Sequence, residues 1–135
     1  MNWERTISRS GCEKMTDDWG TPDWLMSVFE TWFDPCPLDP LWKKSGLELE
    51  WGKFHDQIFV NPPYSDPRPW VEKAISEHLE HGSTVVLLLK HDSSTQWYRR
   101  LHEEGARFLL IEGRLRFKGR GSKPCAFPSV LAVLS

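Results

Sequence analysis

An α/β fold, with a mostly parallel sheet and helices on both faces, is predicted by three features of this sequence. Strand-length apolar runs recur at "QIFV", "STVVLLLK", "ARFLLIEG" and "SVLAVLS". Segments of ten to fifteen residues with helical spacing stand between the earlier runs, the alternation expected of a parallel sheet. "STVVLLLK" is continuously apolar rather than alternating, as suits a strand covered on both faces.

Residues 1–16 lack periodicity and read as a loose N-terminal arm, leaving 17–135 as one domain. "TPDWLMSVFETWF" predicts a helix, with Thr21 as N-cap, Pro22 at the first helical position and Trp24/Leu25, Val28/Phe29 and Trp32 at helical spacing. "FDPCPLDPLW" is loop-like, after at most a short strand around Trp32–Asp34, and "LELEW" alternates like another short strand. After the strand "QIFVN", Asp66 and Pro67 are the expected cap and first turn of a helix through His81. Its apolar stripe is Val71, Ala74/Ile75 and His78/Leu79, and Gly82 stops it. Ser93 with Gln96 forms a capping box for a helix carrying Trp97, Tyr98 and Leu101 and ending at Gly105.

The 135 residues match one domain, and 39% apolar residues are ordinary for a globular protein. No apolar run approaches the roughly 18 residues of a membrane span, and the polar N-terminus lacks the apolar centre of a signal peptide. Cys12, Cys36 and Cys125, odd in number and widely spaced, indicate neither a disulfide framework nor a metal site; a reducing cytoplasm is the expected location. The net charge of −2 hides an asymmetry. Residues 1–106 carry 11 Lys and Arg against 18 Asp and Glu, whereas residues 107–135 carry 6 against 1. A basic C-terminal part on an acidic body implies a face that meets an anion. Eight tryptophans in so short a chain supply core, and flat rings of the kind used in base stacking.

The most informative stretch is "FVNPPYSDP", Phe59–Pro67. Proline cannot donate to a ladder, so the strand must stop at Asn61, which Pro62 biases toward an extended conformation. The Asn61 side-chain oxygen and the Pro62 carbonyl then form two acceptors on a stiff frame, suited to the two donors of a planar NH₂ group, with the Tyr64 ring available for stacking. An exocyclic amine so held keeps its lone pair available for attack on an electrophilic methyl group. In a parallel α/β sheet the carboxyl ends of the strands are where ligands sit, and this corner falls at one of them.

"NPPY" after an apolar strand resembles the catalytic motif of S-adenosylmethionine-dependent amino-methyltransferases. From Asp18 onward, "WGTPDWL", "FDPCPLDP", "FVNPPYS", "PWVEKA", "VVLLL", "GRLRF" and "AFPSVL", in this order, make the chain similar to the short Dam-like adenine-N6 DNA methyltransferases of phages and prophages. The resemblance implies a Rossmann-like class I methyltransferase fold, S-adenosylmethionine as donor and an adenine of double-stranded DNA as target. It implies that Asn61, Pro62 and Tyr64 hold and stack a flipped adenine while Pro63 shapes the loop. Flipping is required because N6 inside a duplex is paired and out of reach.

On the donor side, the resemblance implies that "FDPCPLDP" replaces the usual glycine-rich loop, with Asp34 and Pro35 at the donor's methionine part. Asp39 is a candidate for its ribose hydroxyls, with Glu48 and Glu50 as rivals, and Asp39–Pro40 reads equally as a solvated turn. "DDWGTP" resembles the segment closing over the methionine end, through Trp19, Thr21 and Pro22; Trp19 reads equally as core and Thr21 as a helix cap. Only about twenty residues separate "FDPCPLDP" from "NPPY", so a sheet reduced in size is expected. In "GRLRFKGRGSK", Arg114, Arg116, Lys118 and Arg120 fall on one face and Leu115 and Phe117 on the other. With Lys123 they form a candidate DNA-tracking arm, alternatively a charge-protected edge strand; Arg68, Lys90, His91, Arg99 and Arg100 are further candidate cations. "KHDSSTQW" departs from relatives that carry a proline and an arginine–threonine pair there. With no room for a separate reading domain, recognition falls to loops, the basic arm or a second subunit, as in a homodimer. The competing readings are an RNA or protein-glutamine N-methyltransferase and a catalytically weak nucleic-acid-binding module.

Overall fold

The sheet is built around β2 (Thr84–Lys90), in which Val85, Val86, Leu87, Leu88 and Leu89 are all buried. The computed structural model describes residues 20–37, 45–118 and 127–135. The arm expected at 1–16 lies outside them. β1 (Gln57–Val60) pairs parallel with β2, while β4 (Ser129–Leu134) pairs antiparallel with β2 and with β3 (Arg107–Leu110), in the order β1-β2-β4-β3. On the far side of β1, Phe33 forms a parallel bridge to Ile58, where the sequence suggested a short strand.

The sheet is therefore mixed, which corrects the mostly parallel sheet expected. The helical crossovers through α2 (Arg68–His81) and α3 (Gln96–Glu103) do set β1, β2 and β3 running one way. No helical pattern separates "ARFLLIEG" from "SVLAVLS", so the chain re-enters antiparallel. Helices on both faces is also only partly right. One face carries α2 and α3 over Ile58, Val60, Leu87, Leu89, Val130 and Ala132. The other, over Phe59, Val86 and Leu88, is covered by the one-turn helix α1 (Asp23–Met26), its 3₁₀ extension Ser27–Phe29, and Leu115 and Phe117. Leu25 and Phe29 are the buried members of that helical pattern, whereas Trp24 and Val28 face solvent.

Several local expectations are corrected by hydrogen bonding. "LELEW" is not a strand but two 3₁₀ turns, Gly46–Glu48 and Trp51–Lys53. The Ser45 hydroxyl accepts the Leu47 N–H, closing the first turn locally. The residue capping α1 is Pro22, whose ring offers no side-chain acceptor, while the Thr21 hydroxyl is engaged elsewhere. Asp66 does not cap α2; its carboxylate accepts from Arg68 Nε at 2.9 Å. Thr95, not Ser93, caps α3 by accepting the Tyr98 N–H. Gly82 ends α2 in the left-handed region (φ 69°), as expected of a C-terminal glycine, but Leu79 is 66% exposed and the stripe runs through Trp70 instead.

Trp51 and Trp70 stack with ring centroids 6.2 Å apart beneath the first face. Glu77, almost wholly buried, holds this region to α2 by accepting from Gly52 N at 2.8 Å and Lys73 Nζ at 2.9 Å. Truncating Glu77 to alanine would strand both donors. The expected loss is about 2–3 kcal/mol of unfolding free energy, read as a lower urea midpoint at unchanged m-value.

Candidate active site

β1 is paired on both edges: Phe33 N donates to Gln57 O at 3.0 Å, Phe59 N donates to Phe33 O at 2.9 Å, and β2 takes the other edge. Its ladder ends at Val60, and the chain leaves the sheet through Asn61, Pro62 and Pro63, all buried, to the half-buried Tyr64. The corner thus lies at the carboxyl end of β1, next to the carboxyl end of β2.

Asn61 is 7% exposed and Thr21 8%. Asn61 Nδ2 donates to Thr21 Oγ1 at 3.1 Å, joining it to a residue forty positions earlier. Thr21 is held in turn by its neighbour, since Gly20 forms a two-bond antiparallel bridge with Lys118 (3.1 and 2.9 Å). Pro22 is buried beside it, and its carbonyl accepts the Leu25 and Met26 N–H groups.

The Phe33–Ile58 bridge brings Asp34 level with the end of β1. Its Oδ1 accepts the Cys36 N–H at 2.9 Å. Burial nonetheless pushes this carboxyl up to about 6, since one backbone N–H offsets only part of the lost hydration. Pro35 is packed tightly: a Cβ at Gly46 would fall 1.8 Å from the Pro35 carbonyl oxygen, so only glycine permits the approach.

Beyond the corner lies a cleft of about 470 Å³ lined by Tyr64 and its successors Ser65–Arg68, by Leu89 and Lys90 at the end of β2, and by Thr95 and Trp97. The Tyr64 ring makes edge contacts with Phe117 (5.4 Å) and Phe127 (5.0 Å), which fix its plane beside the cleft. Lys90 Nζ lies 5.6 Å from the Phe127 ring centre. Trp97 and Phe127 were not singled out as site residues from the sequence; their signal was the excess of aromatics, which does not say which rings reach one place.

Arg114 and Arg116 are exposed and Leu115 and Phe117 buried, as the alternation predicts. Residues 115–118 lie against the second face of the sheet, with Lys118 paired to the Asp23 carboxylate. Trp19, Asp39, Arg120 and Lys123 lie outside the described residues, as does Pro40. Among the rival acids, Glu48 and Glu50 are exposed, and Glu50 pairs with Lys53 at 2.8 Å.

Asp34 has a measurable consequence. Its folded-state carboxyl titrates above the ordinary 3.8, so the native state holds the extra proton and the cost of burying the charge is complete only above pH 6. That cost disappears as pH falls toward 4. Asp34→Asn is expected to be more stable than the parent by about 2–3 kcal/mol at pH 7.5, with the difference closing by pH 4, as followed by urea denaturation across that range.

Residues 9–126 match the family model described as DNA N-6-adenine-methyltransferase (Dam). Two phage proteins named DNA N-6-adenine-methyltransferase are similar to the chain. That of Haemophilus phage HP1 (strain HP1c1) is 33% identical over 108 residues, 68% of this chain and 61% of the relative. That of Escherichia phage T1 is 29% identical over 116 residues, 76% and 48% respectively. The chain thus spans roughly half to three fifths of these relatives' lengths. No solved structure gives a significant match. With 118 consecutive positions aligned to the family model, through the proline-locked corner and the basic segment alike, the chain belongs to the DNA N-6-adenine-methyltransferase (Dam) family.

Proposed function

We propose that this chain transfers a methyl group from S-adenosylmethionine to the N6 amine of an adenine flipped out of duplex DNA, within a reduced class I methyltransferase fold. The observation carrying this reading is the site's construction: a buried asparagine and two prolines at the carboxyl end of β1, leading through Tyr64 into a cleft with Lys90 and Arg68 on its walls. The family membership and the names of the phage relatives support it.

The residues fit the donor. Asp34 is a carboxylate short of compensating donors in a crowded setting, and a ligand ammonium would restore its charged form. Pro22 and Pro35 stand around the same sheet end, whereas the Thr21 hydroxyl turns to Asn61; Trp19 and Asp39 belong to the proposed donor site by the family motif. S-adenosylmethionine supplies an electrophilic methyl on a sulfonium.

The protein's contribution is positioning. Asn61 Oδ1 and the Pro62 carbonyl accept the two N6 hydrogens, turning the nitrogen lone pair out of conjugation and toward the methyl. Tyr64 stacks on the flipped base. The nitrogen becomes acidic once it bears the new bond and its charge, so its proton passes to water without a strong base. Arg114, Arg116 and Lys118, with Arg120 and Lys123, track phosphates, while Arg68 and Lys90 meet the strand at the cleft.

The direct test incubates the purified protein with labelled donor and unmethylated DNA, with RNA and a glutamine peptide in parallel, and reads N6-methyladenine in the digested DNA. Label in RNA or peptide alone would overturn the DNA assignment. Asn61→Ala is expected to lower turnover at least 100-fold while donor affinity stays within a factor of about 3. Arg114→Ala and Arg116→Ala should each reduce the slope of log K against log salt by about 1.

A further inference from the structure

Thr21 carries a hydroxyl that a helix cap would have used, yet no cap bond forms; the hydroxyl meets Asn61 Nδ2 instead, with both residues buried. A side-chain pair forty residues apart at the end of β1 is not a by-product of local structure. The backbone around Thr21 is fixed on both sides, by the Gly20–Lys118 bridge before it and by the α1 turn built on the Pro22 carbonyl after it. We propose that Thr21 is a positioning residue for the Asn61 amide, acting through Asn61 and not on the donor.

An asparagine side chain can rotate about its last bond and exchange its oxygen and nitrogen ends. For holding an amine, only one orientation serves: the oxygen must face the N6 hydrogens, because the NH₂ end would set donor against donor. Thr21 gives the NH₂ end an acceptor on the protein side and so fixes the plane and depth of the amide. A hydroxyl can also donate, so Thr21 would accommodate the flipped amide; that arrangement is rejected when the substrate amine arrives. Without the hydroxyl, the buried NH₂ would lose this acceptor, and the amide would lose a contact that sets its plane and depth. A geometric error of about 1 Å at such a group costs on the order of 100-fold in rate.

This rests on the role proposed for Asn61, and the test separates the two. Thr21→Val preserves shape and removes the hydroxyl; Thr21→Ser restores it. For Thr21→Val the expected result is a fall of roughly 10–100-fold in kcat, with donor and DNA dissociation constants within about 3-fold of the parent, and Thr21→Ser is expected to recover most of the loss. Independently of activity, the two Asn61 side-chain NH₂ proton resonances, assigned by their disappearance in Asn61→Ala, should be well separated in the parent and in Thr21→Ser and draw together in Thr21→Val. Unchanged kcat in Thr21→Val, or a loss appearing only in donor affinity, overturns the proposal. So do NH₂ resonances indifferent to the hydroxyl, even in a preparation without turnover. If Asn61→Ala keeps full activity while the resonances respond as expected, it is the catalytic role of Asn61 that fails and not its contact with Thr21.

Discussion

β1 is hydrogen-bonded on both edges and buried on both faces, yet it must end at Val60 because the next two residues but one are prolines with no N–H to donate. An interior strand forced to stop leaves a notch at its carboxyl end, between the Phe33–Asp34 segment and the end of β2. The other elements answer to that notch. α1 and residues 115–118 pack over Phe59 on the second face, Thr21 meets Asn61, and Phe117 and Phe127 make edge contacts with Tyr64. In an unbroken strand, Asn61 would have been one more ladder residue.

Two carboxylates differ in how their burial is compensated. Glu77 is nearly inaccessible, but a backbone N–H and a lysine compensate it, and it ties a turn to α2. Asp34 is less deeply placed, yet its one bond among the described residues is the Cys36 N–H, and its carboxyl is pushed up to about 6. A buried charge left under-compensated costs stability. The amount at stake is a sizeable share of the 5–15 kcal/mol that holds a typical domain together.

Residues 115–118 of the basic segment are bound to the core. Its apolar side packs on the sheet, its backbone bridges Gly20, and Lys118 is paired with Asp23. Arg114, Arg116 and Lys118 thus sit on a backbone that the sheet positions. Tyr64 belongs to both the corner and the cleft wall and touches Phe117 of the basic segment.

What the sequence determined by itself is local and periodic. The apolar runs located the four strands of the described residues, glycine at 82 ended α2, the prolines after Asn61 ended β1, and the alternation from Arg114 to Lys118 set cations outward and Leu115 and Phe117 inward. These follow from what each residue type can and cannot do with its own backbone or at a period of two. The tertiary structure alone decided which hydroxyl went where and which way the last strand ran. Thr21 reads as a cap in sequence because a cap needs only residues nearby, but its partner lies forty positions on. "LELEW" has a strand's pattern and becomes two turns because Ser45 satisfies the first locally and Trp51 is drawn beneath Trp70. The direction of β4 depended on a connection with no helical signal, and Asp34 acquired its raised carboxyl only when Phe33 docked on β1. Periodicity records how a residue relates to its neighbours in the chain, whereas burial, pairing and charge compensation depend on residues that only folding brings together.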